Sequence, residues 1–409
     1  MPDVNQHTFP NGLCLLAERM NGVRSAAFNF LIPAGCIYDP PAHAGLSNLL
    51  SDLITRGAGA RSNRELMLAL DSLGLDRDEA SGMYHMRFWG STLAKNLTPA
   101  LTIYADVLRQ PHLPEEELEP VQALALQELT GLEDEPRQKV MIEVKKRHFP
   151  PPLGRDRRGD AAGIESCTID ALREFYSRSF SPRGAILSVA GDVDWPVLKE
   201  VVEKSFGDWK PQPEPSFQLE PPLPRRDHLT KETNQTQIGI AYDTVPLTHP
   251  DYYTAMGAVN VLSGGMSARL FTEVREKRGL CYAVWASYQT LRDRACVVCY
   301  AGSTNERAQE TLDVTRQVLA SLEGGVTPDE VDRVKAGLKS ALIMQEESTS
   351  ARAGAISADW FYLNRVRTFG EIQAGIESLS PESIAAFARS HPPRDLTLVT
   401  LGPKPLELK

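Results

Sequence analysis

The chain has 409 residues, a formal net charge of −9 and 42% apolar residues. This length exceeds one ordinary hydrophobic core, so we expect two domains or more. The acidic balance argues against a nucleic-acid-binding protein or one that adheres to anionic membranes. No run approaches the roughly 18 apolar residues of a membrane span, and residues 1–12 lack a basic, then apolar, signal sequence. We therefore expect a cytoplasmic protein without a membrane span.

Six scattered cysteines are sparse for a disulfide-stapled domain and indicate a reducing compartment. Cys296 and Cys299 have a CxxC spacing, but they lie in a strand-like run. Residues i and i+3 of a strand point to opposite faces, so we interpret them as packed thiols rather than a redox or zinc site.

In chain order, apolar runs at residues 13–17 and 25–32 predict strands. The stretch 45–57, GLSNLLSDLITRG, predicts an amphipathic helix. On that helix Asn48, Ser51 and Asp52 are spaced i, i+3 and i+4, so their side chains share one face. In zinc peptidases this spacing carries two histidines and a glutamate.

Further along the first half, Ser62 and Glu65 form a capping box that opens a helix. The remaining patterns alternate between strand and helix types. They predict a strand at 84–89, helices at 95–109, 114–128 and 168–178, a surface loop at 149–167, and a strand at 185–190.

Residues 211–225, PQPEPSFQLEPPLPR, predict a semi-rigid linker close to the middle of the chain. The two sides of this linker repeat a pattern, because Pro114 precedes Gly191 by 77 positions and Pro328 precedes Gly402 by 74. We therefore predict an α+β protein with two duplicated domains, at 1–210 and 226–409, each a mixed or antiparallel sheet covered by helices.

In the second half the patterns predict strands and helices in a similar succession. Strands are expected at 237–242, 281–289, 295–302 and 396–400, and helices at about 250–262, 267–277, 305–322 and 328–347. Gly264 and Gly265 precede one of these helices, but no phosphate-loop lysine or serine follows them, so we interpret them as a turn.

Three stretches of the second half are distinctive: Asp251-Tyr252-Tyr253, residues 262–271 (LSGGMSARLF) and residues 274–284 (VREKRGLCYAV). They resemble the pitrilysin or insulinase superfamily of metallopeptidases, in particular its short, two-domain branch, which includes the mitochondrial processing peptidase subunits. The resemblance covers nearly the whole chain and implies the two-domain α+β fold of that superfamily.

Active members of the superfamily carry His-x-x-Glu-His on the first helix and a further glutamate ligand on a later helix. The motif falls here on Asn48, Ser51 and Asp52, and the later ligand falls on Glu128. One of three ligands is kept and the catalytic glutamate is absent. Unassisted serine cannot act as the base, and three oxygen ligands at this spacing lack further acidic support, so we expect no metal in this chain.

The resemblance assigns a role to two residues of the second half. The arginine at position 275 would bind a substrate carbonyl, and the hydroxyl of the tyrosine at position 282 would donate to the oxygen that gains charge during hydrolysis. From composition alone, Arg275 would be an ordinary surface arginine and Tyr282 a core tyrosine of a strand.

Three hypotheses follow. The first is a non-zinc subunit of a heterodimeric zinc metallopeptidase, inactive alone, which supplies Arg275 and Tyr282 to the peptide site of a partner that holds the zinc. The second is a catalytically inert scaffold or peptide-binding protein, which forms a homodimer or a larger assembly, as the peptidase-like core subunits of respiratory complexes do. The third, and the one we favour least, is a self-sufficient peptidase with an unusual metal.

Overall fold

The structure is a computed structural model that describes residues 4–408. Its strands, in chain order, are β1 (Asn5–Thr8), β2 (Cys14–Arg19), β3 (Ser25–Ile32), β4 (Gly57–Ala58), β5 (Arg61–Ser62), β6 (Asp76–Ser81), β7 (Met86–Leu93), β8 (Ile186–Gly191), β9 (Arg226–Thr230), β10 (Gln235–Thr244), β11 (Cys281–Thr290), β12 (Ala295–Thr304) and β13 (Thr397–Gly402).

Its α-helices, in chain order, are α1 (Leu46–Leu53), α2 (Asn63–Ser72), α3 (Leu97–Arg109), α4 (Leu118–Glu133), α5 (Pro136–His148), α6 (Ala161–Ser166), α7 (Ile169–Ser179), α8 (Trp195–Phe206), α9 (Tyr252–Ser263), α10 (Ala308–Ala320), α11 (Pro328–Glu347), α12 (Thr349–Leu363), α13 (Phe369–Glu377) and α14 (Pro381–Ser390). Among residues 4–408, none of the helices combines the length and apolarity that a membrane crossing requires.

The chain forms two compact units, and each is built from segments of both halves. Unit 1 comprises Met1–Gly131, Arg155–Gln218 and Gln345–Val366. Unit 2 comprises Leu132–Gly154, Leu219–Met344 and Arg367–Lys409. The predicted division at the proline-rich linker separates the two halves of the chain. The compact units differ from these halves by two exchanged segments: Leu132–Gly154, with α5, belongs to unit 2, and Gln345–Val366, with α12, belongs to unit 1.

The two main sheets have the same strand topology. In unit 1 the order is β6-β7-β3-β8-β2, with β1 added at the edge, and in unit 2 it is β11-β12-β10-β13-β9. In each sheet the final pair of these five strands is parallel (β8 with β2, β13 with β9) and the other three pairings are antiparallel. The paired glycines of the predicted repeat, Gly191 and Gly402, end equivalent strands. The predicted α+β fold with duplicated domains is confirmed.

The exchanged helices cover equivalent strands. In unit 1, α12 packs on β3 and β8, where Ala353 and Ile356 join a buried apolar cluster. In unit 2, α5 packs on β10 and β13, and a Cβ atom at Gly239 would lie only 2.5 Å from a methyl group of Val144. Because α12 covers one face of β3 in unit 1, both faces of this strand are buried. This burial explains why its sequence, SAAFNFLI, is apolar almost throughout.

Three local expectations need correction. The sequence patterns did not predict α5, whose buried stripe is narrow (Val140, Met141, Val144 and His148) and hard to tell from a polar segment. The predicted loop at 149–167 contains α6, capped by Asp160. The predicted helix at 267–277 is α-helical only briefly and continues as a π-helix at Phe271–Glu276. By contrast, the predicted capping box of Ser62 and Glu65 is confirmed at the start of α2.

Candidate functional site

Helix α1 carries the residues on which the metal-binding motif is predicted to fall. It begins after Gly45, whose φ of 100° is a left-handed conformation that glycine adopts at little cost. A Cβ atom at Gly45 would lie 2.6 Å from the carbonyl oxygen of Arg158, so the close approach of that loop also requires glycine. The apolar face of α1 is fully buried in the core of unit 1 and comprises Leu46, Leu49, Leu50 and Leu53.

The N-terminus of α1 is capped by a residue that the sequence analysis missed. Asp39 is buried, and its carboxylate accepts hydrogen bonds from the backbone N–H groups of Gly45 and Ser47, each at 3.0 Å, and from the Ser47 hydroxyl at 3.2 Å. Burial raises the pKa of Asp39 to about 7 despite these hydrogen bonds. The cap lies six residues before Gly45, outside the local capping patterns that a sequence reveals.

Two of the three motif positions on α1 are buried. Asn48 is 7% exposed and Ser51 is 3% exposed. The Ser51 hydroxyl donates to the backbone carbonyl of Asn48 at 2.7 Å, a local bond typical of a serine inside a helix. Ser51 is the residue predicted at the position of the catalytic glutamate, and its hydroxyl is thus engaged with its own helix and largely screened from solvent.

Asp52, the third motif position, is only partly buried. Burial raises its pKa, the positive charge of Arg56 opposes this effect, and the negative charge of Glu128 adds to it. The structure therefore brings Asp52 within electrostatic range of Glu128, an exposed residue of α4. These are the two predicted site residues of unit 1 that carry a carboxylate.

A further carboxylate near Asp52 was not predicted. Glu79 lies on the edge strand β6 and accepts a hydrogen bond from the Thr55 hydroxyl at 3.3 Å. Burial raises its pKa to about 7, and the charges of Asp78 and Asp52 act in the same direction. The polar sequence of β6, DRDEAS, gives no strand signal, so its position beside α1 emerges only from the fold.

This set of side chains does not fit a zinc ion. Zinc sites use imidazole nitrogen, thiolate sulfur or carboxylate oxygen, whereas α1 offers a buried amide, an engaged hydroxyl and a carboxyl group whose ionised form is disfavoured by burial. Within residues 4–408, no group of three or more His, Cys, Asp or Glu side chains is placed to hold a metal ion. We therefore derive no metal chemistry from α1.

In unit 2, the candidate residues Arg275 and Tyr282 each lie at a backbone irregularity. Arg275 lies in the π-helix Phe271–Glu276, whose wider turn is marked by the hydrogen bond from Lys277 N–H to the Thr272 carbonyl at 2.9 Å. Tyr282 is the extra residue of a β-bulge, since Cys281 pairs with Ser303 and Ala283 pairs with the adjacent Gly302.

The irregularities bring the two side chains into contact. The Arg275 guanidinium carbon lies 5.1 Å from the centre of the Tyr282 ring and 4.7 Å from the centre of the Phe271 ring. Tyr282 is 80% exposed, so it is not the core tyrosine that composition alone would suggest. The pair thus combines a cation and a phenolic hydroxyl at the surface of unit 2, beside the turn at Gly279.

Family comparison covers both the α1 region and the Arg275–Tyr282 region. The description "Insulinase (Peptidase family M16)" matches residues 15–156, and "Peptidase M16 inactive domain" matches residues 166–338. The chain belongs to peptidase family M16. The first match includes α1 and Glu128, and the second includes Arg275 and Tyr282. The resemblance to the pitrilysin or insulinase superfamily is therefore confirmed.

Similar M16 proteins extend over nearly the full chain. A protein named as an uncharacterized zinc protease from Bacillus subtilis is 26% identical over 404 residues, which cover 98% of each chain. Another protein so named, from Streptomyces coelicolor, is 27% identical and covers 98% of this chain and 90% of its own.

Solved structures share the fold of this M16 protein. A peptidase M16 inactive domain from Pseudomonas fluorescens and a protease from Helicobacter pylori each superpose with a TM-score of 0.89 at 21% identity. Both cover 99% of this chain, and 99% and 100% of their own. At this identity the solved structures show the fold. The inactive-domain match over residues 166–338 fits a non-catalytic subunit of family M16.

Proposed function

We propose that this M16 protein is the non-zinc subunit of a heterodimeric zinc metallopeptidase that acts on peptides. In this assignment the partner is an M16 chain with an intact His-x-x-Glu-His motif, and it provides the zinc ion and the base. This chain provides Arg275 and Tyr282. The observation that carries the proposal is the exposed Arg275–Tyr282 pair, kept in a chain whose own motif positions do not suit zinc.

The chemistry of the pair suits a peptide substrate. A guanidinium group donates several hydrogen bonds and is always charged, so Arg275 would hold a substrate carbonyl. A phenolic hydroxyl donates a hydrogen bond without giving up its proton at neutral pH, so Tyr282 would stabilise the oxygen that becomes negatively charged. Neither role requires a metal in this chain. The zinc, when bound in the partner, supplies the activated water.

The arrangement of Phe271, Arg275 and Tyr282 supports this role physically. A guanidinium that lies against two aromatic rings is held in place without consuming its hydrogen-bond donors in an ion pair. The neighbouring cations are used differently, because Lys277 and Arg278 both pair with Glu273, at 2.7 and 2.8 Å. Arg275 is thus the cation of this segment whose charge is directed to aromatic rings rather than to a carboxylate.

The test is reconstitution. The zinc-bearing M16 partner is co-purified from the native host or expressed separately, mixed with this chain, and assayed for cleavage of unfolded peptides. We expect no turnover by this chain alone and turnover by the mixture. Tyr282→Phe should then lower kcat by about 100- to 1000-fold, the range for loss of one oxyanion donor. Tyr288→Phe, on the same strand, is the matched control and should retain activity, because the Tyr288 hydroxyl donates to the Val245 carbonyl.

An inert scaffold or peptide-binding protein is the alternative, and the same experiment separates the two. If the mixture gains no activity, or if Tyr282→Phe leaves its turnover unchanged, the catalytic role of the pair is wrong. A stable homodimer that binds peptides without cleaving them would then identify the scaffold. Metal analysis of the purified chain tests the third hypothesis, which requires a stoichiometric metal ion.

A further inference from the structure

A cavity of about 460 Å³, open to solvent, lies in unit 2 and is lined by neither Arg275 nor Tyr282. It is formed by one face of α10 and by the segment that leads into β13. Its walls combine apolar side chains with two opposite charges: Leu319, Pro393 and Leu396 with Asp313 and Arg316. Volumes of this order, about 300–1,000 Å³, are typical of pockets that hold small molecules.

Arg316 has an unused donor in this region. Its Nε atom is buried and has no hydrogen-bond partner among residues 4–408. A buried donor on a charged group that forms no hydrogen bond loses its hydration without compensation, so each such atom needs an explanation. Arg316 therefore lines the cavity as a cation that no acceptor among residues 4–408 neutralises.

Asp313 lies one helical turn before Arg316. Opposite charges spaced i and i+3 on a helix are neighbours and often pair. Here no ion pair joins them in the described part of the chain; instead, one carboxylate oxygen of Asp313 accepts a hydrogen bond from Gln309 Nε2 at 3.1 Å. The other carboxylate oxygen has no partner there. A cation and an anion thus line one cavity without neutralising each other.

We propose that this cavity binds a free α-amino acid with an apolar side chain. The carboxylate of the ligand pairs with the Arg316 guanidinium, its ammonium group pairs with the Asp313 carboxylate, and its side chain packs against Leu319, Pro393 and Leu396. A phosphate-like dianion is disfavoured because Asp313 would repel it. A neutral apolar ligand is disfavoured because it would displace water from both charged groups without pairing either of them.

This assignment goes beyond the proposed peptidase role and does not depend on it. It concerns α10 and the approach to β13, which carry neither Arg275 nor Tyr282. Binding can therefore be measured on this chain alone, without a zinc-bearing partner and without any assay of cleavage.

Calorimetric titration with three probes tests the charges of the ligand. L-leucine carries both charged groups, leucinamide lacks the carboxylate, and N-acetyl-leucine lacks the ammonium. We expect L-leucine to bind most tightly and each blocked probe to bind about 10- to 100-fold more weakly, as expected for loss of one charged hydrogen bond. The blocked probes also separate other sources, because leucinamide resembles the N-terminal residue of a peptide and N-acetyl-leucine resembles its C-terminal residue.

Variants assign the two contacts to their residues. Arg316→Gln should weaken L-leucine binding about 10- to 100-fold and remove the preference over leucinamide. Asp313→Asn should remove the preference over N-acetyl-leucine. Ala320→Phe places a ring at the wall of the cavity and should abolish binding. Arg333→Gln and Asp329→Asn, on α11, are matched controls that should bind as the unsubstituted chain does.

Three results would overturn the proposal. One is the absence of L-leucine binding at millimolar concentration. Another is equal affinity for L-leucine and either blocked probe, which would show that the site does not require a free amino acid. The last is loss of binding in the α11 controls to the same extent as in Arg316→Gln. Circular dichroism of each folded variant distinguishes loss of a contact from loss of structure.

Discussion

Helix α1 of unit 1 and the Arg275–Tyr282 segment of unit 2 use their polar side chains in opposite ways. On α1, Ser51 is buried and bonded to its own helix, and Asn48 is nearly as buried. In unit 2, a π-helix and a β-bulge interrupt regular hydrogen bonding and leave Tyr282 80% exposed beside Arg275. Asn48 and Ser51 are thus packed inside unit 1, whereas an irregular backbone in unit 2 places Arg275 and Tyr282 at the surface.

This contrast teaches how to weigh candidate residues in a degenerate family member. Side chains that stabilise their own fold need no ligand to explain them. An exposed tyrosine on a bulge and an arginine on a π-helix have no such explanation, and both irregularities are frequent at functional sites. The two regions should therefore respond differently to substitution: α1 through stability, and the pair through activity.

After the loss predicted above for Tyr282→Phe, the largest expected effect is again on activity and comes from Arg275. In the reconstituted heterodimer, Arg275→Gln should lower kcat/KM by about 10- to 100-fold, the cost of one charged hydrogen bond to the substrate, mainly through a higher KM. Asn48→Ala and Arg278→Gln are the controls, and each should stay within about twofold. Steady-state kinetics on one peptide substrate measures all three, and an equal loss in Asn48→Ala would contradict the contrast.

The next effect is on stability and comes from the cap of α1. Asp39→Ala removes the acceptor of three hydrogen bonds from Gly45 and Ser47, which leaves buried donors unpaired. We expect the free energy of unfolding to fall by about 3 kcal/mol. Asp160→Ala, which removes the cap of the short helix α6, is the matched control and should cost about 1 kcal/mol. Denaturant unfolding gives both values, and a smaller loss for Asp39→Ala would show that α1 does not depend on its distant cap.

How much of this the sequence could predict differs between the regions. The polar face of Asn48, Ser51 and Asp52 follows from helical periodicity, and the repeat of Gly191 and Gly402 follows from matched spacing. Asp39 and Glu79 could not be found, because their roles depend on a distant helix terminus and on a polar edge strand. The bulge at Tyr282 was also hidden, since CYAVWASYQT predicts an uninterrupted strand. Local sequence patterns therefore predict the helices and strands, whereas long-range packing determines which side chains are exposed.

A smaller effect concerns pH and again belongs to unit 1. The pKa of Asp39 is about 7 in the fold, above its ordinary value of 3.8, so the folded chain binds more protons than the unfolded chain between these values. The contribution of Asp39 to the free energy of unfolding is complete below pH 3.8 and is lost as the pH rises through 7. Between pH 5 and pH 8 we expect a loss of about 1–2 kcal/mol that is reduced in Asp39→Asn. Urea unfolding at both pH values measures it, and an unchanged pH dependence in Asp39→Asn would exclude this carboxyl group as the source.

The smallest effect belongs to Ser51, the residue predicted at the position of the catalytic glutamate. Ser51→Ala removes the hydroxyl that donates to the Asn48 carbonyl and leaves a methyl group in a site that is already buried. Because the carbonyl keeps its place in the helix and alanine favours helical backbone, we expect the free energy of unfolding to change by less than about 1 kcal/mol. Turnover of the reconstituted heterodimer should not change. A loss of turnover without a loss of stability would mean that Ser51 takes part in the chemistry, and the contrast between α1 and the Arg275–Tyr282 pair would then fail at its most direct point.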